Sequence, residues 1–534
     1  MTERKLPIGV QSFEILRENN FLYIDKTQYV AQLLSGRVYF LSRPRRFGKS
    51  LFLSTLAAYF RGEKELFNGL YLAQAEEELA RQAKREAWQK HPVLYIDLNA
   101  EVYSDERALE NILNVHLTQF EKLYGTEPTE TTYPSRFAGI MRRACEKTGQ
   151  RVVVLVDEYD KPLLQTLDAE QQALHEKNRN ILAGFYSAIK SCDQYIQFVF
   201  LTGVTKFSKL SVFSGLNNLN DISLDDAYAG ICGITDAELR SAFTPELQAL
   251  GAKLSLSMEA TLSLLKKKYD GYRFAIEGAN VYNPFNLLKV FQKLSLGYYW
   301  FATGTPTFLA KKLQELCYPL PDLDNNVALT RMDLENPHEF ADDPIQILYQ
   351  AGYLTIKTYN AEYDEFTLGF PNDEVRYSFW ELLLKCYFLR PATVRLSELS
   401  KFIEAVKHGD VDGFMTRMQS FIAGMSYPTT DELNLIEWNY QMVFYLVFRL
   451  MGQHVHTEVH NIVGRADCVV ELKDTIYLFE FKLWSTGSPE DAITQIEEKG
   501  YAVPYQSSGK KLIAVGASFD EAKRNIGAWK AKEL

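Results

Sequence analysis

The sequence feature that most restricts the fold is an uninterrupted run of valine and leucine at Val152–Val156. Such a run predicts a strand that is covered on both faces, which is the environment of a central strand in a parallel sheet. Three more strand candidates, separated by helical segments, lie at Val38–Ser42, Val93–Leu98 and Ile196–Val204. Strands that alternate with helices predict an α/β fold with a parallel sheet in the first part of the chain.

The pattern changes after about residue 235, where helical runs become dominant. A short helix followed by a strand at Ile345–Ile356 is typical of a winged-helix-like module. From about residue 431 the order is helix, strand, strand, strand, helix, strand. We therefore expect an α/β domain, a helical and winged-helix-like region, a helical connector and a second α/β domain. Their expected bounds are 1–235, 236–389, 390–430 and 431–534.

The composition restricts the class of protein. The chain has 534 residues, of which 46% are hydrophobic and 24% charged, as is usual for globular proteins. Its net charge of -10 excludes a basic coat for nucleic acid but leaves room for a local basic groove. No segment approaches the roughly 20 apolar residues of a membrane span. The cysteines form no C-x-x-C pair, so we expect reduced thiols and a cytoplasmic protein without a membrane partner.

The segment Arg43–Ser50, with the sequence RPRRFGKS, lies between a strand candidate and a helix candidate. This is the context of a P-loop, in which backbone N–H groups and a helix N-terminus hold phosphates. Lys49 would then contact the β and γ phosphates of ATP, and the Ser50 hydroxyl would bind Mg²⁺. The loop residues that we expect to hold the nucleotide are Arg46, Phe47, Gly48, Lys49 and Ser50.

The loop departs from the G-x-x-x-x-G-K-S pattern at its first position, where Arg43 replaces the usual glycine. A helix start with a fortuitous G-K-S is the alternative. Arg45 and Arg46 lie so near the loop that the sequence does not distinguish a contact with phosphate from a role at the surface. No arginine finger is therefore assigned.

Two acids follow the apolar run. Asp157 is placed to hold the magnesium ion through water, and Glu158 to polarise the attacking water as a general base. A solvated strand end is the alternative. Thr202, near the end of the next strand candidate, is placed to sense the γ-phosphate. Lys206, just after that strand, is placed to stabilise the negative charge of the phosphates. Each of the two could instead be an ordinary loop residue.

A second constellation lies near the C-terminus. Asp467 begins one strand candidate, and Glu480 and Lys482 share a face near the end of the next one. The beginning of one strand of a hairpin lies beside the end of the other, so the three side chains can converge. Two carboxylates can bind Mg²⁺ or Mn²⁺, and the lysine can orient water or stabilise phosphate charge. This D…(D/E)-x-K pattern resembles the PD-(D/E)XK nuclease core.

The surroundings of this pattern strengthen the resemblance. Glu437, on the preceding helix candidate, would be a further metal-site acid. Gln495 and Tyr501 belong to the following helix candidate, and Gln495 would lie near the scissile phosphate. An α/β domain with ordinary surface charges is the alternative.

Histidines alternate along the segment just before this site. A zinc site is one interpretation, and the solvent-facing side of a half-buried strand is the simpler one. The residues concerned are His454, His456, His460 and Glu458.

Together these motifs resemble a prokaryotic family of AAA-ATPase-like proteins with a C-terminal PD-(D/E)XK nuclease domain. The resemblance spans nearly the whole chain, and an arginine at the position of Arg43 is normal in that family. The blocks that carry it are Ile8–Val10 with Phe13, Tyr23–Thr27, Arg43–Ser50, Asp157–Asp160, Thr202–Val204, Phe213–Asn218, Tyr269–Tyr272, Tyr282–Pro284 and Gly464–Lys482.

The resemblance implies an ASCE/AAA-like P-loop ATPase of the bacterial cytoplasm, with ATP, Mg²⁺ and DNA as ligands. RNA is the alternative substrate, and a homo-oligomer is compatible with the family. It also suggests a role with mobile elements or in defence against foreign DNA. The leading hypothesis is a nuclease gated by ATP. A switch or scaffold that binds nucleic acid or a protein without cutting is the second hypothesis, and a metabolic P-loop kinase is the third.

Overall fold

The structure is a computed structural model. It describes residues 5–167, 171–206, 218–301, 307–324, 326–335, 344–386, 397–423, 433–451, 458–460 and 467–534. For residues 307–308, 335, 397–399, 433–440 and 458–460 it describes only the backbone.

The chain divides into two compact units. The first comprises Met1–Thr303 and Asn325–Asp373, and the second Gly304–Asp324 and Glu374–Leu534. The four domain bounds expected from the sequence stay predictions.

A five-stranded sheet forms the centre of the first unit. Its strands follow the order β2-β3-β4-β1-β5, and every neighbouring pair is parallel. The prediction of a parallel α/β sheet is therefore confirmed. The strand bounds are β1 Val38–Ser42, β2 Val93–Asp97, β3 Val152–Asp157, β4 Ile196–Gly203 and β5 Asn220–Asp221.

Helices cover both faces of this sheet, which explains why β3 is apolar throughout. On one face, Val154 packs in a core with Phe137 and Leu182. On the other face, the Phe52 ring lies 5.9 Å from that of Phe200 on β4. The helix bounds are α1 Phe13–Glu18, α2 Thr27–Leu33, α3 Lys49–Phe60, α4 Tyr71–Gln82, α5 Ala108–Tyr124, α6 Tyr133–Thr148, α7 Lys161–Leu164, α8 Gln172–Ser191, α9 Asp236–Ala242, α10 Thr244–Leu254, α11 Met258–Tyr269 and α12 Pro284–Lys293.

The first unit also contains two small antiparallel sheets. Strands β6 (Ile234–Thr235) and β7 (Val281–Tyr282) form one, and β8 (Val327–Thr330), β10 (Glu365–Gly369) and β9 (Thr355–Asn360), in that spatial order, form the other. The predicted short helix followed by a strand is present as a helix ahead of β9, while membership of a winged-helix module stays a prediction. The helices beside the second sheet are α14 Arg331–Glu335 and α15 Pro344–Gln350.

The second unit carries a five-stranded sheet in the order β11-β12-β13-β14-β15. Only the β13–β14 pair is parallel. Strand β15, which follows the last strand that the sequence predicts, was not predicted itself. Its exposed lysines obscure the alternation of apolar and polar residues that indicates a strand. Lysines of this kind are common on sheet edges. The strand bounds are β11 Glu458–His460, β12 Cys468–Glu471, β13 Thr475–Leu483, β14 Lys511–Asp520 and β15 Asn525–Glu533.

Helices pack on both faces of this second sheet. Phe444 on α19 lies 4.7 Å from Phe481 on β13, between ring centroids, and α20 covers the opposite face. Within the described parts of the chain, no helix has the length and apolar character needed to cross a membrane. The helix bounds are α13 Thr307–Glu315, α16 Asp373–Cys386, α17 Ser397–Lys407, α18 Val411–Ile422, α19 Leu433–Met451 and α20 Pro489–Glu498.

Candidate functional site

The loop between β1 and α3 has the shape that a phosphate site needs. Gly48 caps α3 with a φ of 98°, a left-handed conformation that side-chain-bearing residues rarely adopt. Arg46 also has a positive φ, of 67°. These two turns direct the loop around the N-terminus of α3, where free backbone N–H groups and the helix dipole favour an anion.

Lys49 is buried inside this loop. Its Nζ donates hydrogen bonds to the carbonyl oxygens of Arg43, at 2.9 Å, and Pro44, at 3.2 Å. Both Lys49 and Ser50 line the cleft beside the loop. The ammonium group is therefore held where it can exchange carbonyl partners for phosphate oxygens.

Arg43, in the position of the missing glycine, does not line this cleft. Its guanidinium donates hydrogen bonds to the carbonyl oxygens of Ser223, at 2.8 Å, and Tyr228, at 3.2 Å. It also lies 4.4 Å from the centroid of the Phe274 ring. Burial lowers the pKa of Arg43 below its usual range. The arginine thus fastens the start of the P-loop to the segment that follows β5.

The structure brings Asp157 and Thr202 together. They lie at the carboxyl ends of β3 and β4, which are parallel neighbours with Val156 opposite Leu201. The Thr202 hydroxyl donates a 2.6 Å hydrogen bond to Oδ1 of Asp157, and both side chains are buried.

Glu158 lines the cleft beside Lys49. It has a φ of 51°, so its backbone is in the left-handed region, where strain is common at functional sites. Burial raises the pKa of the Glu158 carboxyl, and the nearby Lys49 partly opposes that shift. A carboxylate with a raised pKa is a better proton acceptor, as a general base requires.

Two further residues organise this edge of the sheet. Oδ2 of Asp160 accepts hydrogen bonds from the N–H groups of Val204, at 2.9 Å, and Thr205, at 2.6 Å. The Tyr159 hydroxyl donates to the Thr205 carbonyl at 2.9 Å. Sequence reasoning assigned neither residue a role, although both belong to the D-E-Y-D block that carries the family resemblance.

Lys206 is part of a buried ion pair. Its Nζ lies 2.6 Å from Oδ2 of Asp221 on β5, and its backbone N–H donates to the side chain of Gln350. Lys206 does not line the cleft that contains Lys49 and Glu158. Its expected role in stabilising charge stays a prediction.

The P-loop faces a cleft of about 490 Å³ within the first unit. Its lining includes the polar and charged side chains of Lys49, Ser50 and Glu158, and the Arg46 guanidinium lies 5.2 Å from the centroid of the Phe285 ring. The apolar residues of the lining include Val10, Ile24, Ile231, Ile234, Phe243, Phe285 and Leu288. A cleft of this size, lined by both charged and apolar side chains, suits a nucleoside triphosphate.

Lys26 joins the N-terminal segment to the helices after the sheet. Its Nζ lies 2.6 Å from Oε1 of Glu238 on α9 and donates to the carbonyl of Gly230 at 2.8 Å. Lys26 also lines the cleft. Sequence reasoning missed this contact because the partners are far apart along the chain.

The second site forms where β12 and β13 pair. Cys468 lies opposite Phe479, which places Asp467 beside Glu480. Oδ2 of Asp467 accepts a 2.8 Å hydrogen bond from the N–H of Phe481. Glu480 is buried, and the Nζ of Lys482 lies 3.2 Å from its Oε1.

Gln495 on α20 connects these residues. Its Oε1 accepts a 2.6 Å hydrogen bond from Lys482, and its Nε2 donates to Oε1 of Glu480 and, at 3.2 Å, to the Tyr501 hydroxyl. The five predicted residues that the structure describes with their side chains are therefore brought together. The Asp467 and Glu480 carboxylates are hard oxygen ligands, which fit Mg²⁺ or Mn²⁺.

For several predicted residues the structure describes only the backbone or nothing at all. Glu437 falls on α19 and both Glu458 and His460 fall on β11, but their side chains are not described. His454 and His456 lie outside the described residues altogether, as do residues 213–217 and 464–466 of the resemblance blocks. Among the described residues, no group of three or more histidine, cysteine or acidic side chains is arranged to hold a metal ion.

The fold and the two sites define an ATPase-like protein with a nuclease-like C-terminal domain, and comparison with known families agrees. Residues 7–213 match the family described as "Predicted AAA-ATPase", and residues 435–529 match the PD-(D/E)XK nuclease superfamily. The chain belongs to the family of predicted AAA-ATPases that carry a PD-(D/E)XK nuclease superfamily domain.

A relative from Azotobacter chroococcum mcd 1 is similar over the full length of both proteins. It is described as "Uncharacterized protein in vnfD 5'region" and is 37% identical over 542 residues, which covers 100% of each chain. Among solved structures, the Aeropyrum pernix ORC1 protein in complex with DNA is 9% identical, with 69% of this chain and 96% of that chain covered and a TM-score of 0.25. We draw no conclusion from so low a score.

Proposed function

We propose that this protein hydrolyses ATP and that its nucleotide state controls metal-dependent cleavage of DNA by the C-terminal domain. The observation that carries the proposal is the contact network of Glu480, Lys482 and Gln495. It gathers a carboxylate, an ammonium group and an amide on one face of a sheet, next to the carboxylate of Asp467. This combination suits hydrolysis of a phosphodiester.

In the nucleotide cleft, Lys49 and the N-terminus of α3 would bind the phosphates of ATP. Ser50 and Asp157 would hold Mg²⁺, which neutralises charge on the phosphates during the transfer. Thr202 keeps the Asp157 carboxylate oriented through its hydrogen bond. Glu158 would accept a proton from the water whose oxygen attacks the γ-phosphorus, while the bond to the β-phosphate oxygen breaks.

In the nuclease-like site, Asp467 and Glu480 would hold the divalent ion, which polarises the phosphate and lowers the pKa of water. Lys482 lies beside Glu480 and would orient the attacking water or stabilise the negative charge that develops on the phosphate. Gln495 forms hydrogen bonds with both Lys482 and Glu480 and so fixes their positions relative to each other. Water attacks phosphorus, one P–O bond of the DNA backbone breaks, and the leaving oxygen takes up a proton.

Control of cleavage by ATP would protect the cell. A nuclease without control would cut the DNA of its own cell, and an ATPase on the same chain is a means of restricting cleavage. Defence against foreign DNA, or the handling of mobile elements, would use such control. RNA is the alternative substrate, and assembly into a homo-oligomer is compatible with this scheme.

The test is cleavage of linear, circular and single-stranded DNA with Mg²⁺ or Mn²⁺, with and without ATP. We expect the unmodified protein to cut at least one form, Lys482→Ala to lose cleavage, and Lys49→Ala to change its dependence on ATP. Lys499→Ala is the matched control, since that lysine is exposed at the end of α20. ATP hydrolysis should survive in Lys482→Ala.

A second candidate function is an ATP-dependent switch or scaffold whose nuclease-like domain binds nucleic acid or a protein partner without cutting. The net charge of -10 opposes tight binding of a polyanion and therefore favours the version of this alternative in which the partner is a protein. ATP turnover that responds to DNA, with no cleavage of any DNA form under either metal, would support the switch and contradict the nuclease.

A further inference from the structure

Trp484 is an exposed aromatic residue immediately beyond β13. Its relative solvent exposure is 59%. In the same unit, Trp380 is buried and the Trp529 indole donates a 2.8 Å hydrogen bond to Asp412. An exposed indole of this kind has a large apolar face available for a ligand.

Trp484 lies on the same side of the sheet as the nuclease-like site. Its backbone N–H donates to the carbonyl of Phe519 at 2.8 Å, so the backbone hydrogen bonding between β13 and β14 extends one residue beyond their paired segment, which ends at Leu483. Side chains alternate along a strand, and Trp484 is two residues beyond Lys482 and four beyond Glu480. The indole therefore starts roughly 7 Å along the strand from Lys482.

The indole ring lies against the backbone of β15 at Gly527. A Cβ atom added to Gly527 would lie 2.8 Å from two ring carbon atoms of Trp484, closer than real contacts allow. Gly527 sits where the β14–β15 register shifts, at the bulge between Ser518 and Phe519. The glycine thus lets the ring lie against the backbone, while more than half of the residue stays open to solvent.

The turn next to this contact is held in place and contains two basic side chains, Lys523 and Arg524, together with two acidic ones. The N–H of Ser485 donates a 3.1 Å hydrogen bond to the Glu521 carboxylate, and Lys523 pairs with Asp520 at 3.1 Å. Both acids in the turn are therefore engaged. The side chains of Lys523 and Arg524 are exposed between β14 and β15. Cations beside an aromatic face are the combination with which proteins bind single strands.

We propose that Trp484 stacks on an unpaired nucleobase next to the phosphate that is cut. The inference rests on the proposed function and deepens it, because it names the substrate class: single-stranded nucleic acid, or a duplex with an unpaired base beside the cut. In the interior of an intact duplex, both faces of a base are covered by its neighbours and are closed to the indole. Trp484 is thereby a specificity-determining residue.

The experiment measures binding rather than cleavage. Full-length protein with the Lys482→Ala change is titrated, with Mg²⁺, against fluorescein-labelled oligo(dT) and against a blunt duplex, and anisotropy is recorded. Adding Trp484→Ala should weaken binding of oligo(dT) about 5- to 150-fold, the range for one stacked base, and leave the duplex unaffected. Trp484→Phe should retain most of the affinity, because its ring still stacks.

Val503→Ala is the matched control. Val503 is also an exposed apolar residue of the second unit, at 61%, and its loss should not alter binding of either probe. An equal loss of both probes in Trp484→Ala, or no loss of oligo(dT), would overturn the inference while leaving the nuclease proposal intact. If the Lys482→Ala protein binds neither DNA nor RNA in any form, the proposed function and this inference both fail.

Discussion

The Thr202 hydroxyl donates a 2.6 Å hydrogen bond to Oδ1 of Asp157, across the carboxyl ends of two neighbouring parallel strands. A carboxylate bound to a buried hydroxyl cannot rotate freely. The bond therefore couples Thr202, which we propose senses the γ-phosphate, to Asp157, which we propose holds Mg²⁺.

Thr202→Val keeps the shape of this side chain and removes its hydroxyl. We expect the rate of ATP hydrolysis to fall about 10- to 100-fold, because a hydrogen bond to a charged group contributes roughly 1.5–3 kcal/mol. The measurement is steady-state phosphate release at saturating ATP. Thr358→Val, at an exposed position of β9, is the control. An unchanged rate would show that Asp157 does not need this partner.

If Glu158 is the general base, its raised pKa should set the pH dependence of ATP hydrolysis. A general base acts in its deprotonated form, so the rate should fall as pH is lowered through the pKa of Glu158. Because burial raises that pKa, the fall should begin at a higher pH than for an ordinary glutamate. The measurement is the rate constant at saturating ATP as a function of pH across the acidic range. The part of this profile in which the rate falls is the acidic limb.

Glu158→Gln removes the base and should abolish both hydrolysis and the acidic limb. ATP binding, measured by calorimetry, should persist because the P-loop is unchanged. Residual hydrolysis with the same acidic limb would assign the base to another residue.

Arg43→Gly would restore the glycine of the usual P-loop pattern, yet we expect it to destabilise the first unit. The carbonyl oxygens of Ser223 and Tyr228 would lose donors in a buried setting, at a cost of about 1–3 kcal/mol for each. Arg43→Lys should restore little, since one ammonium cannot reproduce the planar fork.

The readout for Arg43 is the midpoint of thermal unfolding without nucleotide. Arg45→Gly is the matched control, because Arg45 is exposed in the same loop and the change adds the same backbone freedom. Equal shifts in the two variants would mean that the buried contacts of Arg43 contribute nothing to stability.

Gln495→Ala should lower DNA cleavage about 10- to 100-fold, because residues that orient metal ligands and their partners have effects of this size. Loss of the amide frees Lys482 and removes a donor from Glu480. The cleavage rate as a function of Mg²⁺ concentration should show that the variant needs more Mg²⁺ for half-maximal cleavage, because its carboxylates bind the metal more weakly. Thr494→Ala, at the adjacent exposed position of α20, should behave as the unmodified protein.

Much of the fold could be predicted from the sequence because its signals are local. The apolar run at Val152–Val156 is β3, and the segment around Gly48 turns as a P-loop does. Asp467, Glu480 and Lys482 converge because hairpin geometry leaves few alternatives. Strand β15 escaped prediction, since its lysines and glycine give it no clear apolar alternation.

The parallel sheet, the P-loop and the acidic strand ends follow from the local sequence, since strand and turn preferences act over a few residues. The direction of Arg43, the pairing of Lys206 with Asp221 and the contact of Lys26 with Glu238 depend on how the chain packs. These contacts join segments far apart in the chain, and buried charges take whatever partners the packing supplies. For the same reason, the contact of the Trp484 ring with Gly527 forms only when β13, β14 and β15 have paired.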